Sequence, residues 1–372
     1  MNIQKVHTVM QIIDKEFLEH KIIPLLQNLQ ATLNNSLAQR TPQAAQAFED
    51  AKKQMFDALA RCPSNSFVPS KQYIFKAIGG DVNTGNKLGE RISEVVGANA
   101  LTPGKAVEEL QKLLNDVNAF YTAIKAVLTN FKKLNISSDA LAPGSCEIGV
   151  LMPIEPELQN FEKELHELNH HLRTFSEVVS GKAEPVIIRA VSSGSPIEVF
   201  LDSAPVVALT IATTIERIVA LYKNALEIRI AKKKLEDLSV PKATVASIEQ
   251  HEKSMVAAEL EKIADDIYKD YKGKDSGRKN ELRTALSKAL KYLAEKIDKG
   301  VDFEVSASEN DDSEPPNEED EVKETPAQRE VKESLTLINE KGAALRMIEK
   351  RVQGVLFIQH DGKKGDEEKS KS

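Results

Sequence analysis

His166-Glu167-Leu168-Asn169-His170 is the stretch of this chain whose residue types and spacing best match a reactive constellation. It fits H-E-x-x-H. On a helix, that spacing sets two imidazoles one turn apart on the same metal, and the glutamate can activate a metal-bound water. A zinc-dependent hydrolase would use His166 and His170 as ligands and Glu167 as the catalytic base. The surrounding residues argue against it. Leu158, Phe161, Leu165, Leu168, Leu172, Phe175 and Val179 form a heptad-like seam, and in that register His166, Glu167 and His170 fall on outward positions. Lys163 and Glu164 place charges before the motif, Arg173 stands where a longer metalloprotease motif has glycine, and a third ligand would have to be Glu184 or Glu198. We therefore read 166–170 as a solvated helix face, with no catalytic residue, metal or cofactor.

Gly80-Asp-Val-Asn-Thr-Gly85 has the glycine spacing of a phosphate loop, and QYIFKAI ahead of it could supply the strand. Asn86 stands where the loop's lysine belongs, so we expect a helix-connecting loop. Two basic clusters, Lys223/Arg229/Lys232/Lys233/Lys234 and Lys272/Lys274/Arg278/Lys279/Arg283, could meet phosphates. Glu227, Asp275 and Glu281 are interleaved with them, and stacking aromatics are sparse, so nucleic-acid binding is not expected. Cys62 and Cys146 are the only cysteines. They make no disulfide framework, and the simplest reading is a cytoplasmic protein with free thiols.

The elements that would hold these residues are mostly helices. Ile3, Val6, Met10, Ile13 and Phe17 line one face of a first helix, which Pro24 should kink or end. Thr41-Pro42 and Thr102-Pro103 each open a further helix. The second of these carries an unbroken seam of Val107, Leu110, Leu114, Val117, Tyr121, Ile124, Leu128 and Phe131. EIGVLM (147–152), PVIIRAV (185–191) and residues 301–305 read as short strands, and the strand–helix–strand order permits one parallel pairing. Ser195-Pro196-Ile197-Glu198 fits a capping box ahead of a long helix from about 205 to 238. Within that helix, APVVALTIATTIERIVALY (204–222) is apolar but carries Glu216 and Arg217. We expect a buried central helix there; the alternative is a membrane-acting effector.

With 372 residues, 41% hydrophobic, the chain can bury a large core, and 29% charged with 5% aromatic residues favours long amphipathic helices over an all-β fold. The net charge of −7 is misleading: residues 307–325 hold nine acids and one base, which leaves +1 for everything else. Such a stretch cannot bury enough apolar surface to order itself. The expected organisation is a helical, coiled-coil-like domain over 1–140, a helical domain with short strands over 146–306, and a disordered acidic linker over 307–325. A C-terminal helix with an edge strand at 355–358 would follow over 326–360, and a disordered tail over 361–372.

EIGVLMP, FEKELHELNHHLRTFSEVVSG, APVVALTIATTIERIVALYKNALEIR and GRKNELRTALSKALKYLAEKID together resemble an uncharacterised family of bacterial, mostly helical intracellular proteins, over about residues 146–306. The resemblance implies a bacterial source, an intracellular setting and a place in a defence-related assembly. It carries over no activity and no functional residue.

The fold class expected is mainly α: long antiparallel helical hairpins or a bundle, with a small α+β element of three to four short strands. The function expected is that of a non-enzymatic interaction or scaffold protein. Its partner would be another protein or further copies of itself.

Overall fold

A computed structural model describes residues 2–153, 157–194, 196–238, 241–269, 271, 276–308, 331–338 and 355–356. The fold is mainly α with a small four-stranded antiparallel sheet.

Helix α1 (Ile3–Glu19) starts where Asn2 Oδ1 accepts the Gln4 and Lys5 amides. It ends before Lys21, whose left-handed backbone (φ 51°) turns the chain into α2 (Ile22–Gln39). The break therefore precedes Pro24, which sits in the first turn of α2, where its missing N–H goes unused. Thr41 caps α3 (Pro42–Ala60) through the Ala44 amide, with Pro42 in the first turn. Then come α4 (Pro69–Ala77), α5 (Gly85–Ala98) and α6 (Pro103–Lys133). QYIFKAI is thus helical in α4, not a strand. The α6 seam is met in full: its eight residues lie in, or pack against, a core with Ile13, Phe17, Leu26, Met55 and Leu88. Phe17 stacks on Tyr121 at 4.4 Å.

Strand β1 (Cys146–Met152) is central in the sheet order β2–β3–β1–β4, with β2 Ile187–Ser192, β3 Ile197–Ser203 and β4 Asp302–Ala307. Helix α7 (Leu158–Ser180) links β1 to β2, but β2 pairs with β3 and, among the described residues, with no other strand. It is β3 that lies beside β1, antiparallel, so the expected parallel pairing is absent among the described strands. Ile197 and Glu198 are strand residues rather than the opening of a helix, and Ser195 lies outside the described residues.

Alternation along the strands gives the sheet two unlike faces. Ile148, Val150, Val199, Leu201, Phe303 and Val305 join the second core, with α7, α8 (Pro205–Asp237), α9 (Lys242–Lys269) and α10 (Ser276–Asp298). Glu147, Gly149, Glu198, Phe200, Asp202 and Glu304 occupy the alternate positions. Within α8, Ala208, Ile211, Ala212, Ile215, Ile218 and Tyr222 are enclosed by this core. By length and composition alone α8 is long and apolar enough to cross a membrane.

Residues 331–338 are helical, and Leu335 and Ile338 enter the second core. Val355 and Leu356 form a bend rather than the start of a strand. Both are buried, with their amides donating to Asp298 Oδ1 at 2.6 and 3.2 Å. The acidic linker from 309 on, the rest of the C-terminal helix, Phe357-Ile358 and the tail lie outside the described residues.

Candidate functional site

The inner stripe of α7 is Leu168, Leu172, Phe175 and Val179, all buried. It leaves His166 and His170 exposed and Glu167 half-buried. Leu158, expected to begin the seam, is itself exposed. Glu184 is exposed. Glu198 lies on the sheet face away from the helical core into which α7 packs. Among the described residues, no group of three or more His, Cys, Asp or Glu is placed to hold a metal ion. The histidine that turns inward is the one the motif leaves out. His171 packs on the Tyr292 ring at 4.4 Å, and its Nδ1 is buried without a hydrogen-bond partner. Burial, with the positive charge of His170 and Lys296 nearby, pushes its pKa down to about 4. It is a neutral packing group at neutral pH.

The 80–85 loop holds an anion of its own. Glu16, almost fully buried, accepts hydrogen bonds from the Ser64 amide and the Thr84 hydroxyl. Asn65 Oδ1 takes the Asn86 amide at 2.8 Å, at the start of α5. A Cβ on Gly85 (φ 63°) would stand 2.5 Å from that oxygen. The Asn83, Thr84 and Asn86 amides are engaged, and the Glu16 carboxylate stands beside them. In the basic clusters, Arg229 pairs with Glu252, Arg278 with Glu177 and Glu281, and Arg283 with Asp265. Lys272 and Lys274 lie outside the described residues. Both cysteines are buried, and burial raises each thiol pKa to about 11, far from a nucleophile's range.

The strongest assembly of polar groups lies elsewhere, between the second face of the sheet and the N-terminal helices. Lys5 Nζ, on α1, is 2.7 Å from Glu147 Oε1, 2.9 Å from Asp139 Oδ2 and 3.6 Å above the Phe200 ring. Arg189, from β2, reaches Asp139 and Glu147 at 3.2 Å each, and Asp202 at 3.8 Å. Glu304, on β4, is 1% exposed; the Ser70 amide and hydroxyl donate to its two oxygens at 2.7 Å each. Val68 offers no side-chain cap to α4, so Glu304 supplies from the sheet the anion that this helix start lacks.

The electrostatics follow from this geometry. Burial opposes the Lys5 charge, but Glu147 and Glu304 outweigh it and hold its pKa above the usual value. Burial likewise opposes the Asp139 carboxylate, and Lys5 and Arg189 outweigh it and pull its pKa down. For Glu304 burial wins over Lys5 and Ser70, and its pKa is raised. Burial raises Glu198 and Glu16 in the same way.

A raised folded-state pKa means stability that is complete below the unfolded carboxylate value of about 4.3 and lost as pH climbs through the higher folded value. Asp139 works in the opposite sense: its stability is lost as pH falls through its lowered value. With Glu304, Glu198 and Glu16 all raised, the unfolding free energy should decline as pH climbs above about 4.3. Glu304→Gln should flatten that decline, as read from denaturant unfolding at several pH values. An unchanged slope would show that Glu304 does not titrate in this range.

Glu147, Glu198 and Glu304 sit at alternate strand positions, which in the sequence reads as a solvated sheet face. Only the packing of α1 and α4 over that face shows it to be buried. No protein-family model, curated protein or solved structure matches the chain. The functional reading therefore rests on the residues themselves.

Proposed function

We propose that the chain is a non-enzymatic interaction or scaffold protein, self-associating or a subunit of a larger assembly, in the cytoplasm. One observation carries this reading. The buried charges Lys5, Glu16, Glu147 and Glu304 are engaged in holding the fold together, while apolar side chains stand exposed on one sheet edge. Ile187, Ile188 and Val191 of β2 are 58, 58 and 55% exposed. Edge strands in a monomer are usually guarded by charge or cover, so an apolar edge suits a protein that meets a partner there. The two unpaired, buried cysteines fit a reducing compartment.

Light scattering on the full chain across a wide concentration range tests the self-associating form. A mass above that of one chain is expected, rising with concentration. A strict monomer throughout would count against it.

A further inference from the structure

The geometry points to a second copy of this chain as the occupant of the β2 edge, the two β2 strands pairing antiparallel across a two-fold axis to make one eight-stranded sheet. This rests on the interaction reading above and names its partner.

The first observation is that β2 ends the sheet, with β3 on one side and no strand on the other among the described residues. The second is its lack of a guard. Its single charge, Arg189, sits at an irregularity in the β2–β3 register and is drawn inward to Asp139, Glu147 and Asp202. A charge that would repel a second edge is thus spent inside the protein. Third, Ile188 pairs with Leu201, and Val191 with Val199. Leu201 and Val199 face the helical core, so Ile188 and Val191 share that face. They lie beyond the cover of the helices.

That spacing is self-complementary. With Arg189 opposite the partner's Ala190, Ile188 falls opposite the partner's Val191, and Val191 opposite the partner's Ile188. Four apolar side chains then meet on one face, at directly paired positions where such contacts are strongest. Ile187 falls opposite the partner's Ser192 on the other face. The same patch serves both copies, so the contact closes as a dimer and does not propagate.

Two of the chain's own remaining segments are poor occupants. Residues 309–330 are dominated by acids, and 359–372 are polar and charged. Val355 and Leu356, in the one β-prone stretch near the C-terminus, are held by Asp298 at the end of α10. That helix leads into β4, the opposite edge of the sheet.

The test uses the full chain and the variant Ile188→Lys/Val191→Lys. Wild type should reach twice the monomer mass in light scattering. The variant should stay at the monomer mass with an unchanged circular dichroism spectrum, since both sites are exposed. Should the lysines disturb the strand, disulfide trapping reads the register directly. Ile188→Cys and Val191→Cys single variants, mixed and mildly oxidised, should form a covalent dimer, and neither should do so alone. Cys62 and Cys146 are buried and should not compete. A dimer that survives the lysine substitutions and gives no cross-link from the mixture would overturn the β2 pairing while leaving self-association intact. A monomer at every concentration would overturn both.

Discussion

Replacing Lys5 with methionine is expected to lower the unfolding free energy by about 3–5 kcal/mol, the usual cost of removing one partner from a buried ion pair. Lys5 is 8% exposed and its ammonium is shared by Glu147 and Asp139. Methionine keeps much of the stem's packing over Phe200, so the loss reports on charge. Arg189 remains beside both acids, but one cation cannot neutralise both carboxylates and also serve Asp202. Glu147→Gln in the Lys5→Met background should recover part of the loss, because it removes an acid left without its partner. Denaturant unfolding of the two singles and the double gives the coupling. A Lys5→Met cost under about 1 kcal/mol would place the site among solvated ion pairs and sink the argument.

The second large effect is expected at Gly149, which faces Glu304 across the β1–β4 ladder. A Cβ there would stand 2.5 Å from Glu304 Cγ and 2.9 Å from its Cδ. Glu304 cannot swing aside, because both carboxylate oxygens are held by Ser70. Gly149→Val must then push β1 away from β4 or expel Glu304. Overpacking alone costs about 1–3 kcal/mol. Leaving the Ser70 donors buried and unpaired adds about 1–3 kcal/mol more. The milder Gly149→Ala should cost clearly less in a Glu304→Ala background than in wild type, since the obstructing atoms are then gone. Equal costs in the two backgrounds would mean that the close approach is not what demands glycine.

How much of this was legible in the sequence follows from the range of each signal. The α6 seam and the Thr41-Pro42 helix start were readable because helical periodicity and capping act within a few residues. β1, β2 and β4 were readable as the short runs 147–152, 185–191 and 301–305, and β3 was not. Which strand lies beside β1 is decided by how β2 and β3 pair, a tertiary outcome. The pattern at 195–198 matched a helix start, yet Glu198 is buried in a strand. QYIFKAI looked like a strand, yet Pro69 opens a helix there, and Ser70 meets a carboxylate 234 residues away. The polar seam escaped for the same reason. Nothing near Lys5 in sequence announces Glu147, and alternating acids on a strand look identical whether water or α1 covers them. The H-E-x-x-H match was the reverse case, strong locally and without a third ligand brought to it among the described residues.

The bond between Ser70 and Glu304 also sets an order of events in time. The chain emerges from the ribosome N-terminus first, and the helical core of α1 to α6 has all its residues by Lys133. It can condense then, but the start of α4 goes without its anion, and Lys5 without Glu147, until the strands are made. β1 gains its β4 neighbour, and α4 its cap, only after residue 304 has been added. The synthesis of some 170 residues, beyond 133 and up to 304, therefore separates the last residue of the first core from the residue that caps α4. A closure that joins residues so far apart in sequence is a late step, and it should set the pace of refolding as well.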